Sequence, residues 1–136
     1  DACPHHGPAI SRGGDWGYHM AWFDGGDKAG LFYGRIDGDA WVSSPAKRFG
    51  NANFQAGHPS LLSINEKVYL AWKEINDSDN YIVLAISEDG GKNWLEAKKI
   101  KKTEGASDYP ELIQFNNKAF LSWNTIKDGY QFIALE

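Results

Sequence analysis

The sequence predicts an all-β chain, and three observations predict it. Proline recurs at Pro8, Pro59 and Pro110, 51 residues apart each time, and each is followed by a tryptophan at Trp22, Trp72 and Trp123. Fifteen glycines and six tryptophans accompany few long helix-forming runs. Strand-like segments alternate with turn chemistry, most clearly at Ser87-Glu88-Asp89-Gly90-Gly91-Lys92-Asn93-Trp94, where Asp-Gly-Gly supplies the positive φ values of a tight turn.

The repeat organises the whole chain. His58-Pro59-Ser60-Leu61-Leu62 parallels Tyr109-Pro110-Glu111-Leu112-Ile113 and, more loosely, Gly7-Pro8-Ala9-Ile10. Val68–Trp72 matches Ala119–Trp123 and Tyr18–Trp22, and a third strand follows in each unit over Leu31–Ile36, Tyr81–Ile86 and Tyr130–Leu135. The middle unit shows the full design. Pro59–Ile64 reads as a first strand, since proline suits a position that donates no ladder hydrogen bond. Asn65-Glu66 turns into Lys67–Glu74, a polar loop leads to Tyr81–Ile86, and the Ser87–Trp94 turn leads to a fourth strand at Trp94–Lys101. In the first unit Ile36-Asp37-Gly38-Asp39-Ala40-Trp41 is a degenerate form of that turn, with a fourth strand expected near Trp41–Ser44. Four antiparallel strands in about 50 residues describe one blade of a β-propeller. The units span approximately 3–50, 56–102 and 107–136, the last incomplete, within a single domain of 136 residues.

The octet Ser87–Trp94, with Ser87, Asp89, Gly91 and Trp94 at its fixed positions, resembles the Asp-box (BNR repeat) of sialidase-like β-propellers, S-x-D-x-G-x-[ST]-W, with Asn93 in the Ser/Thr place. The resemblance implies a partial sialidase-like propeller of about three four-stranded antiparallel blades. It also implies an extracytoplasmic setting, and that the Asp-box is a peripheral structural turn. Sialidase activity does not carry over. Those enzymes use three arginines with a Tyr–Glu pair and an Asp, whereas Arg12, Arg35 and Arg48 here do not precede the strand-opening prolines. No residue is assigned as catalytic. Rings of this type close with roughly four to eight blades, so a fragment or a protomer completed by a second copy or another chain is expected. A compact β-sandwich is the simpler alternative.

A net charge of −4 leaves no electrostatic footprint for nucleic acid, and no apolar run is long enough for a membrane-spanning helix. The amino-terminal residues lack the basic and then apolar pattern of a signal peptide. The single cysteine, Cys3, rules out a disulfide within these residues. With His5 and His6 it forms a candidate metal set for copper or zinc, although nothing in the sequence requires a cofactor. Residues just before the repeat prolines, namely His6, His58, Asp108 and Tyr109, are candidates for a polar pocket where the blade starts converge. Asp24 and Glu74 follow two residues after Trp22 and Trp72, with nothing to bring them together.

Several residues read as structural. The three repeat tryptophans are expected to pack in the core, and His19 to be a strand residue. Asn76–Asn80 reads as a polar hairpin tip, and Lys98–Lys102 as edge protection. The functional expectation is a non-catalytic binding or assembly module, with carbohydrate as a possible ligand. A piece of a sialidase-like glycosidase and a metal-associated accessory protein are the alternatives.

Overall fold

A computed structural model describes residues 7–27, 29–51 and 55–136, with Gln55 described in its backbone alone. Cys3, His5 and His6 lie outside the described residues. Every regular element among those described is a β-strand, and the strands form three antiparallel sheets taken in sequence order. The first sheet holds β1 (Ala9–Gly13), β2 (Gly17–Asp24), β3 (Gly30–Asp37) and β4 (Lys47–Phe49). The second holds β5 (Gln55–Ile64), β6 (Lys67–Asn76), β7 (Asp79–Ser87) and β8 (Lys98–Glu104). The third holds β9 (Glu111–Phe115), β10 (Lys118–Thr125) and β11 (Gly129–Ala134). Each is a meander in which consecutive strands pair.

Turn chemistry closes the hairpins. Asn65 and Asp77 take φ of 55° and 54°, and Asn116 and Asn117 take 49° and 58°, left-handed values that Asn and Asp tolerate better than most residues. Gly17 has a φ of 144°, and a Cβ there would lie 2.0 Å from the Ile36 carbonyl oxygen, so only glycine fits. β5 starts earlier than Pro59. It runs from Gln55 through an irregularity between Gly57 and Ser60, where His58 adopts a φ of 50°.

The fourth strands fall later than the sequence pattern places them. In the second sheet β8 begins at Lys98, because Trp94 turns inward as a plug instead of opening a strand. In the first sheet Trp41 and Val42 are exposed and Ser43 makes only an isolated bridge to Ile36. The strand itself comes at Lys47–Phe49.

The sheets stack face to face with one polarity. Alternation along β6 puts Val68, Leu70 and Trp72 on one face and Tyr69, Ala71 and Lys73 on the other. The first face packs with Leu61, Val83 and Ala85 against Ala21, Leu31 and Tyr33 of the first sheet. The second packs, with Ile64, Ile82 and Leu84, against Ala119, Leu121 and Trp123 of the third. Trp72 and Trp123 are each 1% exposed in these two junctions. Trp22, in the corresponding place, is only half-buried and stacks on Phe32 on the outer face of the first sheet. The first strands make the close approach between sheets. Ser11 and Ser63 share a hydrogen bond at 2.8 Å, and Leu112 N donates to Ser60 Oγ at 2.9 Å.

Candidate functional site

The Ser87–Trp94 turn is held by its own side chains. Ser87, fully buried, accepts from Gly91 N at 2.9 Å and donates to Asp89 Oδ1 at 2.9 Å. Asp89 also accepts from Asn93 N at 2.8 Å and from the Asn93 amide at 2.7 Å, so the asparagine occupying the Ser/Thr place supplies a donor. These Asn93 bonds, with help from Ser87, hold the Asp89 carboxyl at about 2. Gly90 and Gly91 take φ of 70° and 83°. Trp94 Nε1 donates to the Gly91 carbonyl at 3.1 Å, and the indole leaves its own sheet to meet the first. It stands edge-on to Tyr33 (4.8 Å between centroids) and to Phe49 (5.0 Å). The turn is thus the seam between two sheets.

Beneath it lies a buried polar pair. His19 Nδ1 and the Tyr33 hydroxyl share a hydrogen bond at 2.7 Å. Burial first, and the positive charge of Arg35 second, lower the imidazole to about 4. Burial raises the Tyr33 phenol above its ordinary value. Trp16 meets the His19 ring edge-on at 5.0 Å, with the Arg35 guanidinium 3.9 Å above the indole. A neutral imidazole enclosed in this way is a packing element.

The structure draws together three of the four residues proposed for a polar pocket. The His58 and Tyr109 rings stack with centroids 3.6 Å apart, and Asp108 precedes Tyr109 in the linker to the third sheet. Asp108 N and O bond Asn124 O and Trp123 Nε1, fixing the linker against β10. His6, the fourth, lies outside the described residues. At the centre is a residue the sequence reading missed. Lys73 is 6% exposed, lies 4.3 Å from the Tyr109 ring centroid, and donates to the Ser107 carbonyl at 2.8 Å. Burial lowers its ammonium below the usual lysine range, opposed by the charge of Asp108. The signal was in the pattern: Lys73 continues the Tyr69, Ala71 alternation, which is a buried face.

The other singled-out residues separate. Glu74, 3% exposed, accepts from Trp72 Nε1 and Asn51 N, both at 2.9 Å. Asp24 instead caps its own exposed turn through Gly26 N at 2.9 Å, so the two carboxylates form no catalytic pair. Asn76–Asn80 contains the two-residue Asp77-Ser78 hairpin connection between β6 and β7. On β8, Lys102 pairs with Asp79 at 2.8 Å, and the Lys99 ammonium lies 4.1 Å from the centroid of the Tyr81 ring. The metal set Cys3, His5 and His6 is outside the described residues. Among those described, no group of three or more His, Cys, Asp or Glu is placed to hold a metal ion. Among the described residues, no helix is long and apolar enough to cross a membrane. Compared with protein-family models, curated proteins and solved structures, the chain matches none.

Proposed function

We propose that the protein is a non-catalytic assembly module whose sheets are blades of a sialidase-like propeller, and that a second copy completes the ring. One observation carries this reading: the two internal junctions repeat the same face-to-face pattern, and the faces at the two ends of the stack remain aromatic and open. In the first junction Trp94 seats on Tyr33. Tyr33 pairs with Ala21, and the corresponding place on the third sheet is Phe132, paired with Ser122. Phe132 is 51% exposed and lies parallel to Phe120 at 4.8 Å. At the other end Trp41, the tryptophan of the degenerate turn, is 84% exposed. Open aromatic faces of this kind mark interaction surfaces. Joining the outer face of one copy's third sheet to the outer face of the next copy's first sheet repeats the internal junction. Two copies give about six sheets, within the range in which such rings close. The approach of β1 to β5 and of β5 to β9 supports a fan of sheets converging on one axis. An extracytoplasmic setting belongs to the same reading.

Native mass spectrometry with light scattering tests it. A dimer is expected, and Phe132→Lys and Trp41→Lys are each expected to give a folded monomer. A wild-type monomer at tens of micromolar overturns the reading. Carbohydrate binding is a second reading, favoured by the His58–Tyr109 stack, whose tyrosine is 45% exposed. Saturable binding of an acidic monosaccharide, lost in Tyr109→Ala, would establish it.

A further inference from the structure

The two fourth strands gather the positive charge of the chain. β4 and β8 together hold ten residues, and six of the fourteen lysines and arginines are among them, although the net charge of the whole is −4. Lys101 is half-buried and the other five are exposed.

Register decides where these side chains point. Lys47 and Phe49 pair with Tyr33 and Leu31, so they share the face that the first sheet turns to the second. On β8, Lys102 pairs with Tyr81, Lys101 with Ile82 and Lys99 with Val83, which leaves Ile100 as the extra residue of a bulge. In an unbroken ladder Ile100 would lie on the side of Val83, and Lys99 on the opposite one. The bulge instead sends Ile100 into the apolar clusters shared with the third sheet and turns Lys99, with Lys102, towards the first junction. The Lys99 and Lys102 ammonium groups lie 4.1 Å and 5.7 Å from the Tyr81 ring centroid, and that of Lys47 lies 5.6 Å from the Phe49 centroid. Both rings pack on the core of that junction. Cations from two different sheets therefore flank one outer rim. Lys102 has Asp79 at 2.8 Å, but Lys47, Lys98 and Lys101 are in no ion pair among the described residues.

We propose that this rim binds a linear acidic polysaccharide, held by Lys99 and Lys102 of β8 and Lys47 of β4, with Lys98 and Lys101 extending the contact along the edge. Guarding an edge strand needs charge along β8 alone. It needs neither the bulge that turns Lys99 onto Tyr81 nor a lysine on the last strand of the neighbouring sheet. Like charges gathered in this way raise one another's energy, and a polyanion laid along the rim relieves the repulsion. Lysine suits such a ligand, because an ammonium is a compact point charge that takes sulfate or carboxylate at many angles, whereas a guanidinium favours a fixed bidentate geometry. The one arginine, Arg48, donates to the Ala29 carbonyl. Single-stranded nucleic acid would need open ring faces for its bases, and the Tyr81 and Phe49 rings are occupied by lysines and by the core. The rim belongs to the junction inside the stack, so the inference goes beyond the assembly reading and does not depend on it.

The test titrates the 136-residue protein with a sulfated heparin decasaccharide and with an oligoguluronate of the same length. Salt is kept at about 0.1 M, where exposed charges more than about 10 Å apart are largely screened. Saturable binding of at least one probe is expected, with amide chemical-shift changes at Lys47–Phe49 and Lys98–Glu104, and the tighter probe tells sulfate from carboxylate. Lys47→Gln and Lys99→Gln should each weaken binding about threefold, and the double variant about tenfold, with the thermal melt unchanged. Lys118→Gln, the same charge change at the start of β10, should leave binding as it was. Absence of saturation with both probes at millimolar concentration, or an equal loss in Lys118→Gln, would overturn the proposal. So would tighter binding of a single-stranded oligonucleotide of equal charge or of phosphatidylserine vesicles.

Discussion

Lys73 and Glu74 are neighbours in the chain, point to opposite faces of the central sheet, and each secures one of the two linkers between sheets. Glu74 Oε1 accepts from Asn51 N on the way from the first sheet, and Lys73 Nζ donates to Ser107 O on the way to the third. Strand alternation makes this division possible: adjacent side chains cannot share a face.

Truncating either should loosen one linker. Glu74→Ala removes the acceptor of two donors, Asn51 N and Trp72 Nε1, and should cost about 2–4 kcal/mol in urea unfolding. Lys73→Ala loses a charged donor and the packing of its stem, about 2–3 kcal/mol. Lys73→Met keeps the stem and removes the buried charge, so its cost should be smaller than that of Lys73→Ala. A Met variant as unstable as the Ala variant would show that the Ser107 bond, rather than the stem, dominates.

Gly91 and Gly105 make a matched pair. Their φ values are 83° and 78°, but a Cβ on Gly91 would fall 1.8 Å from the Tyr33 hydroxyl, whereas nothing lies within 4 Å of one on Gly105. Gly105→Ala should cost about 1 kcal/mol from the left-handed backbone alone. Gly91→Ala adds the collision at the seam between sheets and should cost about 3 kcal/mol or more. Equal melting temperatures for the two variants would contradict the close approach.

Acid should weaken the first junction through His19. Its folded value of about 4 lies below the ordinary imidazole value of 6.5, so the folded state resists protonation that the unfolded chain accepts. The contribution is full above pH 6.5, declines as pH falls through the interval, and is gone below about 4. Its size is at most about 3 kcal/mol. Asp89, held at about 2, adds a further loss only at still lower pH. In His19→Gln the fall in stability between pH 6.5 and 4, followed by denaturant titration, should be shallower than in the unaltered protein.

The repeat was legible because each unit places its tryptophan on the same face of its sheet; Trp72 and Trp123 are enclosed in the junctions, while Trp22, on the outer face of the first sheet, is half-buried. The turn at Ser87–Trp94 was equally legible, since its bonds are local. The fourth strands were not. Their onset depends on whether the turn's tryptophan finds a sheet to fold against: Trp94 finds Tyr33 and Phe49, and Trp41 finds nothing comparable. The grouping of His58, Asp108 and Tyr109 followed from their shared place before each repeat proline. Lys73 escaped because a lysine reads as solvent-facing until the sheet packed over it is known.

The spacing of the bonds between sheets bears on how the chain assembles. Ser11 meets Ser63, and Ser60 meets Leu112, each across 52 residues, while pairing within a sheet joins strands that follow one another directly. Loop-closure entropy rises only with the logarithm of length, about 0.6 kcal/mol per doubling, so docking a finished meander on its predecessor costs little more in closure than forming a hairpin. A nascent chain can therefore close each sheet as it emerges and lay it on the one before. The order of synthesis becomes the order of docking, and every finished sheet presents the template on which the next one settles.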